Sequence, residues 1–486
     1  MPSDPSANAP CIVWFRQDFR LEDNPALSAA VKRGGPVIPI FIWSPEDEGR
    51  WRMGAASRWW LHYSLESLSK SLTALGAHLV IRDGSVASGL KELVEATGAE
   101  AVFWNRRWEP AAQKQEEAVQ AMLKKQGVEG RAFNAALLFE PGEVLNGSGG
   151  PYKVFTPFYR ACLAKGLPSR TQPAPEAIEG SRLKGLKLED LELLPKIHWA
   201  GEIAKAWTPG EAGAQKQLDW FAHGPVADYM EERNRPDHEG VSRMSPHLHF
   251  GEIGPRQIVH RLRGDVAQGY LREVVWREFA HHMLHFYPET TDEPLHPEFV
   301  HFPWEKDVKG RHAWQKGLTG YPMVDAGMRQ LWTTGWMHNR VRMIVASFLV
   351  KDLLIPWQSG AKWFWDTLVD ADLANNTMGW QWTAGCGADA APYFRIFNPV
   401  SQGEKFDPDG AYVREWVPEL AKLPKEWIHK PWEAPAAVLE TAGVSLGETY
   451  PKPIVDHKFA RGRALQALAR AKGSPHPDDP QPQLDL

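Results

Sequence analysis

The sequence predicts an α/β N-terminal domain built on an open, Rossmann-like parallel sheet, followed by an all-α C-terminal domain. Three observations lead there. Short apolar runs alternate with amphipathic stretches over roughly the first 130 residues, strand-like runs disappear beyond about residue 210, and long helical periodicities take their place. With 486 residues, 43% hydrophobic and 24% charged, the chain can fill two or three globular cores.

Taken in order, CIVWF at 11–15, PVIPIFIW at 36–43, HLVI at 78–81 and AVFWN at 101–105 read as parallel strands buried on both faces. Helical patterns at 54–75 and 110–126 fall between them. This is the βαβ rhythm of an open sheet, which places ligands beyond the carboxyl ends of its strands. The first domain is expected over 1–132. From 133 to 200 the pattern weakens into Gly-, Pro- and Ser-rich stretches such as LNGSGGPYK at 145–153, which reads as an inter-domain linker. The helical domain is expected over 201–472, with periodic stretches at 256–286, 322–354 and 361–374. A Pro- and Asp-rich tail over 473–486 has the composition of a disordered segment.

The net charge is −5 and the pI near 6.4, so no global field draws the chain to nucleic acid. Any such surface must be a local basic patch. Cys11, Cys162 and Cys386 are too few and too scattered for a disulfide framework or a zinc site, which fits a reducing compartment and no metal. No apolar run is long enough to span a membrane and no basic-then-apolar leader is present, so a cytoplasmic monomer is expected.

Residues 369–407, VDADLANNTMGWQWTAGCGADAAPYFRIFNPVSQGEKFD, set paired aspartates, paired asparagines and two tryptophans side by side. Such polar groups share a buried site only when hydrogen bonds satisfy them, and a large aromatic cofactor would supply the partners. Residues 241–254, VSRMSPHLHFGEIG, place hydroxyls, an arginine and glycines before a helix start. Alone this is as well an ordinary Ser cap and turn as a phosphate cradle. Glu273, Trp276 and Arg277 share one helix face, as do Asn339, Arg342 and Met343, with Arg340 pointing elsewhere. Asn376 and Trp380 lie one turn apart, with Gly379 allowing close approach.

The 369–407 run resembles the flavin-binding signature of the photolyase/cryptochrome family, and the resemblance extends over nearly the whole chain. EDEGRWRMGAASRWWLHYSL and FWNRRWEPAAQ are similar to plant cryptochromes and to class III cyclobutane pyrimidine dimer photolyases. The resemblance implies FAD as cofactor. Tyr229, Val241, Ser242, Arg243, Met244 and Ser245 match the segment that holds its diphosphate, and Tyr270 joins the cofactor set. Arg342 is expected to pair with Asp370 beside the isoalloxazine, Asp372 to bond the flavin ring or ribityl region, and Asn376 to meet flavin N5. An amide there supports a reduced, anionic flavin, whereas the aspartate usual in plant cryptochromes would first need a proton.

On the substrate side, the resemblance implies that Glu273 bonds a flipped-out dimer. Trp276 and Trp382 line its cavity, and Asn339 and Met343 complete the wall. Arg233, Arg277, Arg340 and Gln402 complete the DNA-binding set, with Arg340 on a phosphate. Trp380, Trp357 and Trp304 match the family's electron-carrying tryptophan chain, though each alone is more often core packing. Trp363 and Trp365 could branch it. Glu109 and Trp43, with Trp104 and Trp108 near by, are expected to hold a 5,10-methenyltetrahydrofolate antenna. The implied activity is light-driven repair of cyclobutane pyrimidine dimers in chromosomal DNA. A (6-4) photolyase would carry a histidine pair where Asn339 and Met343 stand. A signalling cryptochrome is the other rival, disfavoured by Asn376, by the intact Trp276 and Trp382 pair and by the lack of a long extension after the helical domain.

Overall fold

Runs of apolar residues buried on both faces become a parallel sheet in the computed structural model, which describes residues 9–181, 183–390 and 394–473. The strands are β1 (Cys11–Phe15), β2 (Val37–Trp43), β3 (Val80–Asp83), β4 (Ala101–Asn105) and β5 (Glu129–Phe133), in the order β3-β2-β1-β4-β5. Trp14 is in register with Ile40 on one side and with Trp104 on the other. The order reverses direction at β1, so the β1–β4 boundary is the switch point where such sheets open a crevice. β5 was not expected. Its sequence, EGRAF, is a partly exposed edge strand without an apolar run.

Helices α1 (Pro25–Arg33), α2 (Ala55–Ala74), α3 (Val86–Thr97) and α4 (Pro110–Gln126) connect the strands. Asn24 starts α1 by accepting from the Leu27 amide at 3.1 Å, with Pro25 in the first turn. Gly127, at φ +71°, ends α4 in the left-handed conformation that glycine tolerates. Ile12, Trp14, Ile40, Val102 and Trp104 pack with Leu90, Val119 and Leu123 of the helices in one apolar cluster.

The stretch read as a linker contains a helix, α5 (Phe155–Lys165). The helical part then runs α6 (Gly201–Ala206), α7 (Glu211–His223), α8 (Tyr229–Glu232), α9 (Ser245–His249), α10 (Pro255–Arg261), α11 (Gln268–Phe286), α12 (Val308–Lys316), α13 (Pro322–Thr334), α14 (Asn339–Ser347), α15 (Trp357–Thr367), α16 (Leu373–Ala384), α17 (Pro399–Phe406), α18 (Ala411–Trp416), α19 (Ala436–Ala442) and α20 (His457–Ala471). The three long periodic stretches are each broken. Gly264 (φ +89°) separates α10 from α11 and Gly335 (φ +68°) ends α13. Residues 368–372 interrupt the third, and both aspartates of the signature lie in that break. Most of the tail, 474–486, lies outside the described residues.

Two compact units divide the chain. One comprises Met1–Met230, Gly240–Pro288 and Trp365–Asn375; the other Glu231–Glu239, Glu289–Phe364 and Asn376–Leu486. In the second, buried Asp325 accepts from Thr319 N and Oγ1 at 2.7 Å, Gly320 N at 3.0 Å and Tyr450 OH at 2.7 Å, tying α13 to the segment before α20. No helix among the described residues is long and apolar enough to cross a membrane.

Within the first unit, Trp365–Asn375 docks on the start of α2. Ala55 N donates to Asp366 Oδ1 at 3.0 Å, Ser57 Oγ to the Leu368 carbonyl at 3.0 Å, and Trp365 Nε1 to the Arg52 carbonyl at 2.7 Å. Gly54 permits this approach, since a Cβ there would overlap the Trp365 carbonyl and lie 2.5 Å from Asp366 Cα. Gly54→Ala is expected to lower stability by about 1–3 kcal/mol through overpacking. Urea denaturation of both proteins measures it, and an unchanged midpoint would show that the segment is free to shift.

Candidate active site

The 242–249 segment of the first unit turns at Arg243, whose φ of +51° is rare for a side-chain-bearing residue. Its guanidinium lies over Trp207, 4.2 Å from the ring centroid. Ser242 Oγ is 2.8 Å from Tyr270 OH and accepts from the Met244 amide at 3.3 Å. Tyr229 meets Tyr270 edge-on at 5.3 Å, so the upstream tyrosine, the loop serine and α11 are brought together. Burial raises the Tyr270 pKa to about 12, keeping the phenol neutral. Val241 is half-buried at the loop's start, Met244 buried, and Ser245 exposed at the first position of α9. Asp370 and Asp372 are both buried. Asp372 Oδ1 accepts from Asn375 N at 2.8 Å and Asn375 Nδ2 at 2.7 Å, which caps α16.

On α11, Glu273 and Trp276 are half-buried. Trp276 stacks on Phe155 of α5 with centroids 3.6 Å apart and planes 8° apart. Phe155, itself fully buried, is a support that sequence reasoning missed. It lies in a stretch whose only legible feature was Gly and Pro content. Arg277 is drawn into the protein's own framework. Its Nη1 donates to the Ala136 carbonyl at 2.7 Å and lies 3.7 Å from Glu278 Oε1, with 12% of the side chain exposed. One turn on, His282 Nε2 accepts from Tyr152 N at 3.1 Å, tying the approach to α5 to α11.

In the second unit, Asn339 is exposed at the first position of α14 and Met343 is half-buried one turn later. Arg340 is held by Asn234 Oδ1, at 3.2 Å from Nε and 2.5 Å from Nη2, and lies over the Phe406 ring at 4.4 Å. Burial and the fields of Arg233 and Arg395 lower its pKa. Arg233, Arg340 and Arg395 thus form a local basic cluster; Arg395 was not singled out from sequence. Arg342 Nε donates to the Met337 carbonyl at 2.8 Å.

On α16, Asn376 Nδ2 donates to the Ala361 carbonyl of α15 at 3.0 Å, which fixes the carboxamide's orientation. A side chain built at Gly379 would meet no atom within 4 Å. Trp380 is 2% exposed and its indole N–H has no acceptor among the described residues. It fits only because position 360 is glycine, where a Cβ would crowd its ring. Trp357 is equally buried and Trp304 half-buried. The two branch candidates part company. Trp363 stacks on Trp332, which is 60% exposed, at 5.9 Å, whereas Trp365 packs edge-on against Trp51 in the first unit. Trp382 Nε1 donates to the Asp389 carbonyl at 3.1 Å, and Gln402 is half-buried on α17.

Trp43 and Glu109, the residues expected to hold an antenna, line two neighbouring pockets that share Gln17 and Arg107. Trp43 lines a cavity of about 470 Å³ at the ends of β1 and β2, with Trp14, Phe41, Arg16 and Glu48. Glu109 lines another, of about 430 Å³, at the β1–β4 switch point, with Asp18, Trp108, His281 and Asp372. Burial opposes the charge of Glu109, but Arg107, 3.2 Å away, outweighs it and holds the carboxyl below its usual range.

The family described as DNA photolyase matches residues 11–177, and that described as the FAD binding domain of DNA photolyase matches 270–470. A deoxyribodipyrimidine photo-lyase of Agrobacterium fabrum is 49% identical, over 96% of this chain and 98% of that protein. The chain belongs to the photolyase/cryptochrome family. Among its members, Cryptochrome-1 of Arabidopsis thaliana is 41% identical, over 94% of this chain and 70% of the plant protein. A solved bacterial class III photolyase from Agrobacterium tumefaciens superposes with a TM-score of 0.93 at 48% identity, covering 97% of this chain and 99% of that one.

The photolyase scaffold around Trp276 carries an acid-sensitive contact. Burial, then neighbouring His285, pull the His282 pKa from 6.5 down to about 4, and a protonated ring could not accept from Tyr152. Because the folded pKa is depressed, the stabilisation is complete above pH 6.5 and is lost as pH falls toward 4, an effect of roughly 3 kcal/mol. Urea unfolding at pH 7 and pH 4.5 measures it. His282→Gln should flatten the difference; an equally steep loss in that variant would assign the acid sensitivity elsewhere.

Proposed function

We propose that this chain is a class III-like deoxyribodipyrimidine photo-lyase, using FAD and light to split cyclobutane pyrimidine dimers in DNA. The likeness to a deoxyribodipyrimidine photo-lyase over 96% of the chain carries the reading. Identity to the plant cryptochrome is lower, and Asn376 with the Trp276 and Trp382 pair keeps the repair set.

The residues fit a flavin dinucleotide. The bare backbone at Gly379 leaves room for a ring system, the buried Trp380 N–H lacks an acceptor among the described residues, and the Ser242–Ser245 turn gathers two serine side chains at the start of α9. Tyr229, Val241, Tyr270 and the Ser242–Ser245 turn would hold the dinucleotide. Asp370, Asp372 and Arg342 would serve the isoalloxazine and ribityl region. Asn376, with one amide hydrogen on the Ala361 carbonyl, would meet N5 with the rest of its carboxamide. Bound FAD, reduced and excited by light, supplies the electron that opens the cyclobutane ring and regains it afterwards.

The chain's own groups do the rest. Glu273 bonds the carbonyl edge of the extruded dimer. Trp276 stacks on it, backed by Phe155, and Trp382, Asn339 and Met343 are the second unit's residues for the same substrate. Arg340, with Arg233 and Gln402, engages the DNA backbone. Trp304, Trp357 and Trp380 relay electrons inward to load the cofactor, a role that dimer splitting does not need. Trp43 and its aromatic cavity take a methenyltetrahydrofolate antenna. The enzyme acts in the cytoplasm as a monomer.

Trp380→Phe is expected to abolish photoreduction of the oxidised enzyme while chemically reduced enzyme still repairs dimers. Flavin absorption under blue light and a dimer-repair assay measure the two, and full photoreduction in the variant would remove Trp380 from the relay. Failure of the wild type to repair dimers would overturn the reading as a whole. For the antenna, Trp43→Ala should lose a near-ultraviolet folate band and keep the flavin bands, and Glu109→Gln should keep both. Absorption spectra of the purified proteins decide, and the reverse pattern would move the antenna to the switch-point cavity.

A further inference from the structure

His281 has both ring nitrogens against acceptors. Nδ1 lies 3.0 Å from the Arg277 carbonyl and Nε2 lies 3.4 Å from Asp372 Oδ2. A neutral imidazole has one N–H and one lone pair, so either tautomer would aim a lone pair at an oxygen. The imidazolium alone donates in both directions. The adjacent His282 is arranged oppositely, accepting from a backbone amide. Consecutive histidines on one helix therefore hold different charge states.

We propose that His281 is a positioning residue that holds Asp372 as an imidazolium–carboxylate pair and makes the charge presented to the flavin depend on pH. The proposal rests on the reading of Asp372 as a flavin contact given above. Asp372 Oδ1 is committed to the cap of α16, so Oδ2 is the oxygen that faces His281, with His249 Nδ1 at 3.9 Å. The other charged or titratable groups around the pair are Arg277 and Glu278 of α11, Arg106, Arg107 and Glu109 after β4, and Asp18 after β1. Arg107 is paired with Glu48 and Glu109, and Arg277 is bonded to Ala136. His281 is thus the main cation against Asp372, followed by a hydrogen bond from His249, with the charge of Arg277 behind both.

Burial opposes both charges, but mutual attraction outweighs it, raising His281 above and holding Asp372 well below their ordinary pKa values. The stabilisation by His281 is complete below pH 6.5 and is lost as pH rises through its raised value. That from Asp372 is present above the ordinary carboxylate range and is lost as pH falls through its lowered value. The switch-point cavity, lined by both residues, gives the proton a way out. Once His281 is neutral, an uncompensated carboxylate remains and opposes an anionic reduced flavin.

The test is the midpoint potential of the FAD-bound enzyme measured from pH 5.5 to 9.5 and compared with free FAD. The wild type should show an additional inflection above pH 6.5, where the equilibrium constant for flavin reduction falls by about tenfold, the order expected for one partly screened charge. His281→Arg, charged throughout, should lose the inflection and keep the low-pH potential. His281→Gln should show the high-pH potential throughout. Glu278→Gln, which removes the other group titrating near pH 7, should retain the inflection. A wild-type profile parallel to free FAD overturns the proposal even if no variant folds, as does an inflection that survives His281→Arg or vanishes in Glu278→Gln. Absence of flavin from the purified protein would instead defeat the assignment of the cofactor.

Discussion

A single buried carboxylate, Glu252, sets the position of the loop on which the cofactor reading of the first unit depends. Its Oε1 accepts from Trp60 Nε1 at 3.0 Å, Ser64 Oγ at 2.6 Å and Gly210 N at 2.7 Å, and its Oε2 pairs with His247 Nδ1. A buried charge without partners costs several kcal/mol, so these donors are obligatory. Trp60 and Ser64 belong to α2, Gly210 precedes α7 and His247 lies in α9. One side chain therefore registers the 242–249 loop against α2 and the start of α7.

The second unit solves a different problem, that of keeping large aromatic rings in close contact with helix backbone. Trp380 lies edge-on to Phe364 at 5.0 Å and to Trp314 at 6.2 Å, and Gly360 gives it space that any side chain would take. The indole is thereby fixed by packing on several sides, while Asn376, one turn earlier, is fixed by a hydrogen bond to α15. Rigid placement of this kind suits groups that serve electron transfer, where separation controls rate and a mobile ring would broaden it.

Much of this was legible in the sequence because it depends on local pattern. Four strands were readable as buried apolar runs, α2 and α4 by their periodicity, and α16 as the helix carrying Asn376 and Trp380. β5 was not, because an exposed edge strand needs no apolar residues. The breaks at Gly264, Gly335 and 368–372 were hidden inside periodic stretches, since periodicity reports a face and not continuity. The supporting residues were the hardest to see. Phe155, Asn234 and Glu252 act on partners 121, 106 and up to 192 positions away, and no local pattern marks such pairs. The two residues expected to hold an antenna looked alike as aromatic and acid near strand ends, but β2 and β4, which flank β1, deliver them to different pockets.

The basic cluster of Arg233, Arg340 and Arg395 sits on a chain whose net charge is −5. A uniformly positive protein is drawn to DNA in any orientation, and most encounters then bury the wrong face. Here the bulk of the surface is repelled while one patch is attracted, so the field of the duplex exerts a torque as well as a pull. With the DNA-facing role proposed for Arg233 and Arg340, such a molecule would turn as it nears the backbone and arrive patch first. The same imbalance shortens each stay on intact duplex, which favours a search made of many brief, correctly oriented landings over long residence at any one place.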